Sequence, residues 1–218
     1  MSTDTKTALL DAAEELFAEQ GFAATSLREL TQRASANIAA VNYHFGSKAD
    51  LAKEVLRRRI EPINRERARR LDELPDGAPA RDVVRAFLEP VFEAGGACEQ
   101  DGEIQGFCRV IGRLNVEQPP FLREFFAEQF RGLAHRFTRR LADCAPHLPP
   151  ETLWWRLHFV VGALAHTLMN AHLIAAIREA EGAAAPHDAA TIAAELIAFA
   201  TGGVLAAEPH PLDPEVTQ

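Results

Sequence analysis

The stretch that most constrains this 218-residue chain is Ser26–Asp50, where helix starts and stops crowd together. Ser26-Leu27-Arg28-Glu29 has the spacing of a capping box, in which the Ser side chain accepts a free backbone N–H and the Glu reaches back. The helix it opens buries Leu27 and Leu30 and ends near Ala34. Ser35-Ala36 makes a tight turn. Asn37 caps a second short helix through His44, with Ile38 and Val41 inward, and Gly46 stops it. Ser47-Lys48-Ala49-Asp50 is a second capping box, opening a long helix with Leu51, Val55 and Ile60 inside. Upstream, Ala8, Leu9, Ala12, Ala13, Leu16 and Phe17 form the apolar stripe of an amphipathic helix that Gly21 ends. The spacing predicts helices of about 17, 9 and 8 residues, the last two joined by a turn of about three, and then a long helix. Two short helices on a tight turn are a helix-turn-helix arrangement.

The remainder reads as helix throughout. Leu74–Pro79 is a loop, and helices are expected near 80–94 (kinked at Pro90), 104–117, 120–144, 151–180 and 188–207. A single Tyr beside 13 Phe, many Ala and Leu, and few β-branched runs agree with an all-α fold of about nine helices. The expected division is a helix-turn-helix domain over 1–60, a regulatory domain over 61–207 and a flexible tail over 208–218. Leu157–Ile177 and Ala189–Ala207 are apolar but interrupted by His158, His166, Asn170, His172 and Glu195, which makes a lipid-facing span costly. The first twenty residues lack a secretory pattern, and three cysteines without a CxxC spacing suit a reducing cytoplasm.

The N-terminal sixty residues resemble the TetR family of transcriptional regulators. The matching residues are Ala12-Ala13-Glu14-Glu15-Leu16-Phe17, Gly21-Phe22, Thr25-Ser26-Leu27 and Val41-Asn42-Tyr43-His44-Phe45-Gly46-Ser47-Lys48, ending in Leu51. The Asn42–Phe45 variant is similar to a subgroup that includes fatty-acid-responsive repressors. The resemblance implies a dimer bound to a palindromic double-stranded DNA operator and released by a small molecule, with a fatty acid or acyl-CoA as the effector class of that subgroup. One departure stands out: many members carry Tyr, contacting a phosphate, where Asn42 stands here, and Tyr43 follows. Either residue can take that contact.

A helix entering the major groove needs small residues for close approach and side chains that read base edges. Ala36, Ala39 and Ala40 suit the approach. Asn37 and Asn42 can present amides to adenine, although Asn37 also serves as a cap. Tyr43 and His44 can reach a phosphate or a base edge, and the His can equally support the turn. Thr25 and Ser26 at the start of one helix, Arg28, and Lys48 at the start of the long helix are expected to clamp phosphates. Leu30, Ile38, Val41, Phe45 and Leu51 are assigned to the core.

The formal charge of -8, taken as a total, opposes a nucleic-acid partner, but residues 1–75 hold 12 basic and 12 acidic residues, so the excess acid lies wholly beyond them. In the later half, Phe87, Phe92, Phe107, Phe121, Phe125, Phe126 and Phe130 could line an apolar cavity. Phe92, Phe107, Arg109, Arg113, Phe126, His158 and His166 are the candidate ligand residues. Arg109 and Arg113, one turn apart, could grip a carboxylate or phosphate, or pair with Glu117. The helices near 151–180 and 188–207 are the expected homodimer surface. Pro62 reads as a hinge or a plain kink. No cofactor is called for, and no catalytic constellation or metal-ligand spacing is visible, so an enzyme is a poor fit. A redox sensor built on Cys98 and Cys108 is an alternative reading.

Overall fold

The structure is a computed structural model that describes residues 2–94, 103–182 and 188–208. Within them the chain forms nine α-helices: α1 Ser2–Gln20, α2 Leu27–Arg33, α3 Ile38–His44, α4 Lys48–Glu73, α5 Ala80–Glu93, α6 Glu103–Glu117, α7 Phe121–Cys144, α8 Pro150–Ala180 and α9 Ala189–Leu205. The expected tail beyond 208 and Cys98 lie outside the described residues.

The helix starts follow local chemistry. Ser26 Oγ accepts from Glu29 N at 3.1 Å, Asn37 Oδ1 from Ala40 N at 2.9 Å, and Ser47 Oγ from Asp50 N at 3.0 Å. The box at Ser26 does not close as expected: the Glu29 carboxylate turns to Gln20 Nε2 at 2.8 Å, tying α2 to the end of α1. At α4, Ser47 Oγ also donates to Asp50 Oδ2 at 2.6 Å. This bond, followed by the one from Lys53, holds the Asp50 carboxyl below its usual range. Two prolines sit inside helices, Pro62 in α4 and Pro90 in α5, each removing one intrahelical donor.

The apolar side chains gather into two cores. One combines Leu9, Leu16 and Phe17 of α1, Leu30, Val41 and the α4 residues Leu51 to Ile60 with Val110 and Leu114 of α6 and Phe121, Leu122 and Phe125 of α7. The other joins Ile63 and Leu71 of α4 to α5, α7, α8 and α9, with Phe87 and Phe137 edge to face at 5.0 Å. The expected boundary at residue 60 therefore falls inside one continuous helix, between the two cores. The reason is size: α1 to α3 alone bury too little apolar surface to be self-sufficient, so α6 and α7 complete the first core.

The seam between the two parts is polar and specific. Gly21, at φ +92, ends α1 in the left-handed region that favours glycine. A Cβ there would lie 2.0 Å from Glu117 Oε1 at the end of α6, whose Oε2 accepts from Ala23 N at 2.8 Å. Gly21→Ala is thus expected to lose about 2 kcal/mol from backbone strain and the clash, read as a lower urea midpoint. In the G21A/E117A double variant the clash is gone, so its loss should fall short of the sum of the single losses. Additive losses would show that Glu117 does not press on this turn.

Candidate nucleic-acid interface

The α2–α3 unit presents a compact surface. Between the helices, Ser35 takes φ +48, and Ala36 N donates back to Thr31 O at 2.8 Å, closing the turn. Val41 and Phe45 point into the first of the two cores, the head core; the second, built on α5 and α7 to α9, is the body core. The opposite side of α3 exposes Asn37, Ile38, Ala39, Asn42 and Tyr43, the last 82% exposed. A large aromatic held this far into water near the end of a rigid short helix is positioned for a partner rather than for packing.

Ile38 corrects the sequence reading. Periodicity places it within about 60° of Val41, which suggested core, yet it is 47% exposed. It lies on the first turn of α3, and nothing among the described residues covers it. The signal that could have found it is this terminal position in a helix of only seven residues. Ala36 and Ala40, expected at the DNA surface, are half-buried against the core, which leaves Ala39 as the exposed alanine of the three.

The expected phosphate clamp is also redrawn. Thr25 is 1% exposed, and its hydroxyl donates to Gly21 O at 2.7 Å, so it builds the turn and does not face solvent. Ser26 stays exposed as the cap of α2. Arg28 is exposed and forms no ion pair among the described residues. Lys48 is half-buried, with its ammonium 4.5 Å from the centre of the Phe22 ring. Burial lowers its pKa, opposed by the Glu117 carboxylate. His44 is half-buried between the rings of Tyr43 and Phe45 and lines a cleft of about 360 Å³ with Lys6, Asp50, Lys53, Arg57 and Glu124.

The candidate ligand residues are not brought together. Phe92 belongs to the body core, whereas Phe107 and Phe126 pack against the head core. Arg109 is exposed. Among the described residues Arg113 pairs with no carboxylate; Nε donates to Ala18 O at 2.9 Å and Nη2 to Glu19 O at 2.6 Å, carbonyls left free at the end of α1. His158 and His166 sit on the exposed side of α8, the former stacked on Trp154 and the latter beside Asn170. Helical spacing placed them on one face but could not say whether that face looked inward.

That outward face is extensive. Trp154, Trp155, Phe159, Leu173, Ile174 and Ile177 of α8 and Phe199 and Leu205 of α9 are all exposed, Phe199 to 72%. No helix among the described residues is long and apolar enough to cross a membrane. Exposed apolar side chains along two neighbouring helices are the kind of surface that suits an interface.

An all-helical chain carrying a helix-turn-helix with an uncovered recognition face defines a helix-turn-helix DNA-binding fold. Residues 9–55 match the family described as bacterial regulatory proteins, tetR family, and residues 85–203 match the tetracyclin repressor-like C-terminal domain. The chain belongs to the TetR family. An HTH-type transcriptional repressor of Mycobacterium tuberculosis is 49% identical over 49 residues, 22% of this chain. The match spans about a quarter (26%) of that relative's length. Among solved structures, NalD of Pseudomonas aeruginosa, the secondary repressor of the MexAB-OprM multidrug efflux pump, is similar at TM-score 0.62 and 25% identity, over 93% of this chain and 98% of that one. The fatty acid degradation regulator FadR of Bacillus halodurans shares the fold at TM-score 0.65 and 13% identity, over 91% and 95%.

Of the alternative redox pair, Cys98 lies outside the described residues. Cys108 is buried, and burial pushes its thiol up to about 11. At pH 8 it should therefore remain a thiol and resist iodoacetamide in the folded chain, labelling only in denaturant. Rapid native labelling of the Cys108 peptide, followed by mass spectrometry, would contradict this placement.

Proposed function

We propose that this chain is a ligand-responsive DNA-binding transcriptional regulator, a repressor that leaves a palindromic operator when a small apolar or acyl-type effector binds. The observation that carries the reading is the uncovered face of α3, with Tyr43 and Ile38 standing in water on a helix fixed by Val41 and Phe45. Asn37, Ala39, Asn42 and Tyr43, with Ile38 added, form the reading surface; Ser26, Arg28 and Lys48 flank it. The Ile38 and Ala39 methyls suit thymine methyl groups, and the Asn42 amide suits adenine. Residues 1–60 act as the head and 61–207 as the regulatory body. Fatty acids or acyl-CoA are the effector class inferred from the resemblance at Asn42–Phe45, and a cytoplasmic place follows from a DNA target.

One head holds too small a surface for tight, specific binding, so two heads must act together. The exposed apolar sides of α8 and α9 support a homodimer joined through these helices, as a four-helix arrangement.

DNA selected from a random pool by the full chain should be palindromic. Tyr43→Ala is expected to weaken binding to that DNA about tenfold, and Lys48→Ala to reduce the salt slope by about one. Unchanged binding in both variants would remove the assigned surface. Phe199→Glu should shift the chain from dimer to monomer by light scattering and abolish binding to the palindrome. A dimer that persists would exclude α9 from the interface.

A further inference from the structure

The cleft beside His44 lies where the head meets the body. Its head wall carries Lys6 of α1 with His44 and Phe45 at the end of α3, and its body wall is the start of α7, with Glu124 and Glu128 one helical turn apart. Most of the other charges in the cleft are already matched within the chain. Lys53 pairs with Asp50 at 3.1 Å, and Arg57 pairs with Glu54 and Glu61. Lys6, Glu124 and Glu128 differ: each is exposed, and none forms an ion pair among the described residues. One unmatched cation therefore stands on the head wall, and two unmatched anions stand on the body wall.

The fold gives Lys6 little to do. Its ammonium lies 5.9 Å from the centre of the Phe45 ring, at the outer limit of a useful cation–π contact. It also precedes residues 9–55, so the family match assigns it no role. Its place does point to a partner. The Phe45 ring lies 6.1 Å from the His44 ring, and the His44 ring 5.0 Å from that of the exposed Tyr43. Lys6 thus ends a row of side chains that starts on the reading surface. A duplex seated on α3 carries one phosphate charge per ~1.7 Å of its axis, so phosphates pass along the edge of that surface.

We propose that the mouth of this cleft is a further backbone-contact site for operator DNA, in which Lys6 binds a phosphate while the carboxylates of Glu124 and Glu128 weaken that contact by repulsion. The proposal rests on the DNA-binding reading above and adds a site to it. A lysine suits the task, because its ammonium is a point charge with three donors on a flexible stem. The phosphate stays at the outer edge, since Lys53 and Arg57 deeper in are already paired. Exposed charges act on one another over roughly 8 Å at physiological salt, and the walls of a cleft of about 360 Å³ are close enough for that. Two residues of the body thereby lower operator affinity without touching a base.

The test measures binding of the full chain by fluorescence anisotropy to the selected operator and to a scrambled duplex of the same length, over about 50 to 200 mM salt. Lys6→Gln should weaken binding to both duplexes by the same factor, about three- to tenfold, and reduce the salt slope by about one per head. Lys6→Arg should restore both. The E124Q/E128Q double variant should bind both duplexes about threefold more tightly at low salt, and this gain should shrink when K6Q is added. All three side chains are exposed, so an unchanged urea midpoint reports that each variant is folded. An unchanged salt slope in K6Q, a loss confined to the selected operator, or no gain in E124Q/E128Q would each overturn the site. So would an equal loss in Arg81→Gln, which removes one exposed charge at the start of α5 and tests for a mere net-charge effect. A wild type that binds neither duplex would remove the DNA-binding reading itself, a result distinct from a wild type and a K6Q variant that bind equally well.

Discussion

The arrangement depends on the last turn of α6 meeting the last turn of α1. A helix C-terminus leaves carbonyls without donors, and Arg113 fills two of them, on Ala18 and Glu19. One turn later Glu117 fills the hollow of Gly21 and takes the Ala23 N–H. A cation and an anion from one helix thereby satisfy opposite needs on the two sides of one loop. The same carboxylate acts electrostatically on Lys48, whose ammonium rests on Phe22, and Phe22 packs edge-on against Phe121 of α7. The head is fixed to the body by this cluster as much as by the continuous α4, so a shift of α6 relative to α1 must disturb the α1–α2 turn.

Charge looks different once the pairs are placed. The head region is neutral in sum, but its basic residues are largely spent inside the fold: Arg33 lies against Glu15 and Glu19, Lys53 against Asp50, and most α4 arginines against neighbouring acids. Exposed pairs of this type add little stability, yet they cancel the long-range field that would draw DNA non-specifically. Arg28, the half-buried Lys48 and the exposed Lys6, which lines the cleft beside His44, remain as cations near the reading surface. Affinity must then come from placed neutral groups and from two heads acting together, with a weak salt dependence per head. The acidic body adds repulsion elsewhere along the duplex.

What could be read from the sequence follows from which signals are local. Caps at Ser26, Asn37 and Ser47 and stops at Gly21 and Gly46 are interactions within a few residues, and the observed helices start and stop there. Side-chain direction at long range was less legible. Thr25 resembles a solvent-facing cap residue until its hydroxyl is seen bonded to Gly21 O. His158 and His166 share a face whose outward direction depends on α6, α7 and α9 covering the other side. Arg67, buried with its Nε donating to Phe87 O at 2.8 Å, was hidden among the seven arginines of α4, because a guanidinium's partner is a tertiary fact. The completion of the head core by Val110, Leu114 and Phe125, some fifty or more residues away in sequence, had no local trace at all.

Helix α4 is the element in which these facts meet. Its inward residues through Ile60 belong to the head core and those from Ile63 onward to the body core, and Pro62 lies between them. From Lys48 to Arg67 the axial distance is about 28 Å at the usual helical rise. A stiff element anchored in two separate cores cannot absorb a displacement at one end without moving the other or bending between. The missing N–H at Pro62 makes that junction the place where bending breaks the fewest hydrogen bonds. A ligand that favours one setting of α4 in the body over another changes operator affinity only by its difference in affinity for the two settings.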